Sequence, residues 1–188
     1  MSLVYDPVTT SNTPSNTPEL SSRPTGIHET LMNAALDQAR LAASAGEVPV
    51  GAVVYRLSDY QIVATGHNQR EADADPTAHA EILALRAAAA HRGVWRLEGH
   101  GLAVTLEPCP MCAGALVNAR IDELIYGAPD PQMGCVDTLH HLCNEPRFNH
   151  RMSVIPGVFA QESATLLRTF FRARRGKNPP AKPRPSPP

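Results

Sequence analysis

Apolar residues recur at helical spacing over residues 28–45, at Leu31, Ala35, Ala39 and Ala42, and Gly46 follows as a stop. Two short runs, VGAVVYR (50–56) and QIVATGH (61–67), predict strands, and the turn at Ser58-Asp59 joins them as a hairpin. Asp75-Pro76 reads as a cap followed by proline, so AHAEILALRAAAA is predicted to be a helix starting there. GLAVTLE (101–107) predicts a buried strand that Pro108 ends, with MCAGALVNAR as the helix behind it. DELIYGA (122–128) and MSVIP (152–156) complete the strands, and QESATLLRTFFRARR closes as an amphipathic helix. Residues 129–150 carry no clear period and read as loop with short helical turns. Strands alternating with helices predict an α/β fold, one sheet covered by helices on both faces. The hairpin makes that sheet mixed rather than purely parallel.

The pattern fades at both ends. Residues 1–26 are rich in Ser, Thr, Asn and Pro and hold too few apolar groups to offset the entropy of ordering, so a disordered tail is expected. Residues 176–188, ending KNPPAKPRPSPP, predict an extended, proline-rich basic tail. Residues 27–175 remain as a single domain, large enough to bury a core without disulfide staples.

Net charge is −1, but it is unevenly spread. Residues 1–167 hold ten Lys or Arg and eighteen Asp or Glu, a net of −8, whereas residues 168–188 hold seven basic residues and no acids. A basic end on an acidic body fits a polyanion contact, and equally a solvated tail. The start of the chain lacks the basic and apolar segments of a secretion signal, and no apolar run is long enough to span a membrane. The expected setting is therefore the reducing cytoplasm, where closely spaced cysteines point to metal or redox chemistry before structural disulfides.

Two segments carry that chemistry: His79-Ala80-Glu81 and Pro108-Cys109-Pro110-Met111-Cys112, each at a predicted helix start. A helix N-terminus offers free N–H groups and partial positive charge, which favours the thiolate that zinc requires. Cys109 and Cys112 are three apart and share a helix face. With His79 they make three protein ligands, leaving the fourth tetrahedral position for water, the pattern of a catalytic zinc. Such a zinc lowers the pKa of its water to about 7. Glu81, two residues from His79, is then placed to carry protons rather than to bind metal. A thioredoxin-like reading would use the two cysteines but leave His79 and Glu81 idle. A structural zinc would need a fourth ligand, for which Cys135, Cys143 or His150 are available; Cys135 and Cys143 are read as bystanders in an irregular segment.

These motifs resemble the cytidine/deoxycytidylate deaminase superfamily. The longer matching segments (VPVGAVV, GHN, DPTAHAEILALR, TLEPCPMCAGAL, ARI, YGAPD, FNHR and FFRARR) resemble the bacterial tRNA-specific adenosine deaminases over 27–175. That resemblance implies a cytidine deaminase-like, three-layer α/β/α fold with a five-stranded mixed sheet, one zinc per subunit and a homodimer. The implied reaction is hydrolysis at C6 of the wobble adenosine, giving inosine and ammonia. By matched position it implies His79, Cys109 and Cys112 as zinc ligands and Glu81 as the proton carrier. Asn68 would contact the flipped nucleoside, Asp130 and His150 would lie along the RNA cleft, and Phe171 with Arg172 or Arg175 would meet the anticodon loop. Phe170 and Phe171 differ by about 100° around a helix, so only one of them can face the core fully. The segment MGCVDTLHHLCNEPR departs most from the family pattern. Two alternatives share the motifs: a zinc-dependent deaminase of a free base or nucleoside, and a zinc-stabilised RNA-binding module without catalysis.

Overall fold

A computed structural model describes residues 26–175. The two expected tails lie outside the described residues except for Gly26, which is the N-cap of the first helix. The elements in order are α1 (Ile27–Ser44), β1 (Gly51–Arg56), β2 (Ile62–His67), α2 (Ala80–Arg92), β3 (His100–Leu106), α3 (Pro110–Ala119), β4 (Glu123–Ala128), β5 (Ser153–Ile155) and α4 (Ala160–Arg175). Within the segment read as loop, a single 3-10 turn spans Leu142–Asn144.

The five strands form one mixed sheet in the order β2-β1-β3-β4-β5. β1 runs antiparallel to β2 and β3, while β3, β4 and β5 are parallel. Successive residues of the central strands feed two cores. Val54, Leu102, Val104, Leu124 and Tyr126 join the core that α2 and α3 cover. Val53, Tyr55, Ala103 and Ile125 join the core under α1. Burial on both faces is why β1, β3 and β4 read as near-continuous apolar runs instead of alternating ones. Cys135 and Cys143 are fully buried in the first of these cores.

Asp75-Pro76 does not start α2. Asp75 Oδ1 accepts hydrogen bonds from the Thr77 backbone N–H and hydroxyl, each 2.7 Å. That local turn uses up the capping carboxylate, and α2 begins later, with His79 as N-cap in extended conformation. The delay puts His79 and Glu81 at the tip of α2, where their side chains can reach beyond the sheet edge.

Gly66 on β2 sets how closely that tip approaches. A Cβ there would collide with the Ala80 carbonyl and lie 2.7 Å from the Ala84 amide nitrogen. The missing side chain lets the first turn of α2 rest on the strand backbone. α3 starts just past the C-terminal end of β3, so both helix tips meet at the carboxyl edge of the parallel strands. Open α/β sheets bind their ligands at such edges.

Candidate active site

His79 and Cys109 are the N-caps of α2 and α3, and neither side chain caps its own helix. Both are thereby free to face each other. His79 Nδ1 lies 3.8 Å from Cys109 Sγ and 3.6 Å from Cys112 Sγ. Among the described residues these three form the metal-competent group, their ligand atoms all within 4.8 Å of one another. A tetrahedral zinc with Zn–S of about 2.3 Å and Zn–N of about 2.0 Å holds its nitrogen and sulfur ligands about 3.5 Å apart. The observed spacings fit that ion, and the soft sulfur-rich donor set fits it chemically.

Electrostatics favour the same use. The Cys109 thiol is pulled well below its ordinary range, first by its hydrogen bond with the Cys112 thiol and further by His79. Cys112 is pushed up by sharing that proton and by burial. His79 is raised, chiefly through its hydrogen bond with Cys109. The protons these ligand atoms hold are what a cation displaces on binding.

Glu81, on the first turn of α2, is 3% exposed, and its Oε2 is buried without a hydrogen-bond partner. Burial raises its pKa above the ordinary carboxylate range. A carboxyl that takes a proton readily and keeps an oxygen unsatisfied is suited to proton transfer with a molecule entering the site. The unpartnered Oε2 also tests the zinc reading: a polar ligand on a neighbouring cation would give it a partner.

The site forms the floor of a cleft of about 1050 Å³. Asn68, His79, Glu81, Cys109, Asp130, Phe171 and Arg175 all line it. Asn68 is buried. Its Oδ1 accepts from the Ala80 amide at 3.0 Å, and its Nδ2 donates to the Val48 carbonyl at 3.1 Å. It thus supplies the cap of α2 that His79 does not, and keeps one N–H and one lone pair for a ligand. Asp130 Oδ1 accepts from the Gln132 and Met133 amides, shaping a turn on the cleft's lip. On α4, Phe170 is half-buried and stands edge-on to Phe171, which is 44% exposed and lines the cleft.

The structure does not bring every implied contact to the cleft. His150 Nε2 is 2.6 Å from the Ile121 carbonyl, with Asp122 Oδ1 at 4.0 Å, beyond the far end of α3 from the cysteines. Arg172 is on α4 but is not among the cleft residues. Three residues that sequence reading passed over do line it: Arg70, Arg168 and Glu107. Arg168 lies at helical spacing from Phe171 and Arg175, three before one and seven before the other, a signal present in the sequence. Arg70 had no such signal. Glu107 sits beside the cysteine motif yet is 2% exposed. Burial would raise its pKa, but the hydrogen bonds it accepts from the 130–138 segment outweigh that and hold it below the ordinary range.

Comparison with known proteins agrees with this geometry. Residues 25–128 match the cytidine and deoxycytidylate deaminase zinc-binding region. The chain is 46% identical over 154 residues to the tRNA-specific adenosine deaminase of Bacillus subtilis (strain 168), covering 82% of this chain and 94% of that one. It is 43% identical over 148 residues to the enzyme of the same name from Haemophilus influenzae, covering 78% and 84%. A solved structure from work on A-to-I editing by tRNA:A34 deaminases at the wobble position of transfer RNA superposes with a TM-score of 0.70 at 42% identity. That match covers 74% of this chain and 99% of the other. The chain belongs to the cytidine and deoxycytidylate deaminase family, in its tRNA-specific adenosine deaminase branch.

Proposed function

We propose that this protein converts the wobble adenosine of a transfer RNA to inosine by hydrolytic deamination. The observation that carries the reading is the combination of a His79–Cys109–Cys112 centre and buried Glu81 with a wide cleft. Arg70, Arg168, Arg175 and exposed Phe171 stand on that cleft. A closed pocket suffices for a free base, whereas RNA needs cations for its phosphates and aromatic faces for unpaired bases.

His79, Cys109 and Cys112 would hold one zinc per subunit. Bound there, zinc supplies a Lewis acid that makes water a nucleophile at neutral pH. Glu81 accepts the proton of the attacking water and delivers it to ring N1 as the new bond to C6 forms. It then carries the remaining hydroxyl proton to the amino nitrogen. The C6–N bond breaks, ammonia leaves, and inosine retains the proton at N1 and the oxygen at C6. The raised pKa of Glu81 suits both halves of this transfer. Asn68 holds the base through the N–H and lone pair its structural bonds leave over. In an anticodon loop the base is already unpaired, which lowers the cost of turning it into the cleft.

The working assembly in this reading is a cytoplasmic homodimer. Its support is an apolar face on α2 and α3, where Ile82, Leu85, Ala89 and Ala115 line a shallow depression beside Trp95, itself 60% exposed. Among the described residues no helix is long and apolar enough to cross a membrane.

The function is tested with tRNA transcripts that differ only at the wobble position. Adenosine there should give one ammonia per inosine formed; guanosine there should give none. Equal release from both, or from neither, would refute the reading.

A further inference from the structure

Glu107 stands two residues before Cys109, at the end of the strand that leads into the metal loop, and its carboxylate is almost wholly buried. Oε1 accepts hydrogen bonds from the amides of Val136, Asp137 and Thr138, at 3.1, 2.8 and 2.9 Å. Oε2 accepts from the Asp130 amide at 3.1 Å and from the Thr138 hydroxyl. All five donors therefore belong to residues 130–138. The neighbouring residue adds a sixth link, since the Pro108 carbonyl accepts from the Cys135 amide at 2.9 Å. Asp130, Pro131, Gln132 and Met133 of the same segment form one lip of the cleft.

The segment has no regular structure to hold its shape. Backbone amides left without partners in a buried setting are costly, so a loop with this many inward N–H groups takes its shape from the acceptor they share. Gly134 shows how closely the loop is wrapped: an added Cβ would collide with the Glu107 carboxylate and fall 2.6 Å from the Asp130 carbonyl.

We propose that Glu107 is a positioning residue that fixes the 130–138 lip to the metal loop, so that the substrate-binding surface and the reacting centre are held in one frame. It is not one of the three metal-competent residues. It acts through Asp130 and the residues after it. The proposal rests on the tRNA reading for its substrate.

Glu107→Gln discriminates well. Its one remaining acceptor oxygen can keep the three amides of Val136, Asp137 and Thr138, but an NH2 group then faces the Asp130 N–H, donor against donor. The lesion falls on the cleft side of the lip. Expected results are a KM for tRNA raised about tenfold, a kcat within about threefold of the parent, unchanged zinc content, and faster amide hydrogen exchange confined to 130–138. Should that variant not fold, Gly134→Ala wedges the same contact from the loop side and should give the same pattern. A fall in kcat with KM unchanged, loss of zinc, or unaltered exchange at 130–138 would overturn the proposal. If the parent chain does not deaminate tRNA, the functional reading fails, and the exchange measurement still decides whether Glu107 fixes the lip.

Discussion

The contact between Gly66 and the tip of α2 links packing to chemistry, and Gly66→Ala tests that link. The new methyl would overlap the Ala80 carbonyl and lie 2.7 Å from the Ala84 nitrogen and 3.2 Å from the Ala84 Cβ. Ordinary contact needs about 3.4 Å or more, and backbone atoms on a helix cannot rotate away as a flexible side chain would. The first turn of α2 must therefore lift by roughly 0.7–1 Å. Overpacking of this kind costs about 1–3 kcal/mol, and for a domain of this size each kcal/mol lowers Tm by about 2–4 °C. A fall of roughly 2–12 °C follows. The functional effect is expected to be larger in proportion, because Ala80 sits between His79 and Glu81. A shift of about 1 Å in reacting groups costs about 10²-fold in rate. The assay is paired: thermal unfolding of the zinc-loaded variant, and kcat/KM on tRNA. A variant that matches the parent in Tm within 1 °C and in rate within twofold would show that α2 does not depend on this contact for its place.

Glu81→Gln should keep its zinc and its Tm while losing at least about 10²-fold in kcat, since it removes the proton carrier and nothing else; loss of metal on dialysis would make Glu81 part of the ligand set. Arg168→Ala and Arg175→Ala should each weaken tRNA binding and reduce the salt slope by about 0.7–0.9 for every phosphate no longer neutralised. Arg172→Ala should do so less, and equal effects from all three would show that α4 acts as diffuse charge. Burial lowers the pKa of His100, with Arg92 and Arg56 adding to the effect. The unfolded chain therefore binds that proton first on acidification. Its contribution to stability is complete above pH about 6.5 and declines as the pH falls from there through the folded-state value. Tm measured from pH 7.5 to 5 should show that decline, and His100→Gln should remove its share; an unchanged profile in the variant would assign the slope to other groups.

Much of this architecture could be read along the chain because its causes are local. Two-sided burial wrote β1, β3 and β4 as apolar runs, and helical spacing wrote α1. The zinc centre was readable for a related reason. An N-cap and the residue three beyond it converge in space whatever the rest of the fold does, so the Cys109 and Cys112 spacing carries geometry. The start of α2 was misread because Asp75 and Pro76 satisfy the rules for a helix cap and for a turn alike, and only the bonds to Thr77 decide. Glu107 and Arg70 were not legible as cleft residues at all. Glu107 owes its role to partners twenty-three to thirty-one positions away, and Arg70 owes its place to a loop whose path is set by buried Glu47, which accepts from the Glu71 and Ala72 amides. The resemblance implied a place for His150 along the RNA cleft; in the structure its Nε2 lies against the Ile121 carbonyl, a contact twenty-nine positions away that its sequence neighbours do not signal.

The central claim is that the Glu81 and His79–Cys109–Cys112 centre serves an RNA-bound adenosine rather than a free base. It is tested most directly by giving the zinc-loaded protein an equimolar mixture of total tRNA, adenosine, cytidine and guanine, and following ammonia alongside nucleoside analysis of the recovered RNA. The expected result is inosine at the wobble position of tRNA in one-to-one yield with ammonia, and the free compounds intact. Ammonia matched by loss of a free base or nucleoside, with the tRNA unchanged, would contradict it.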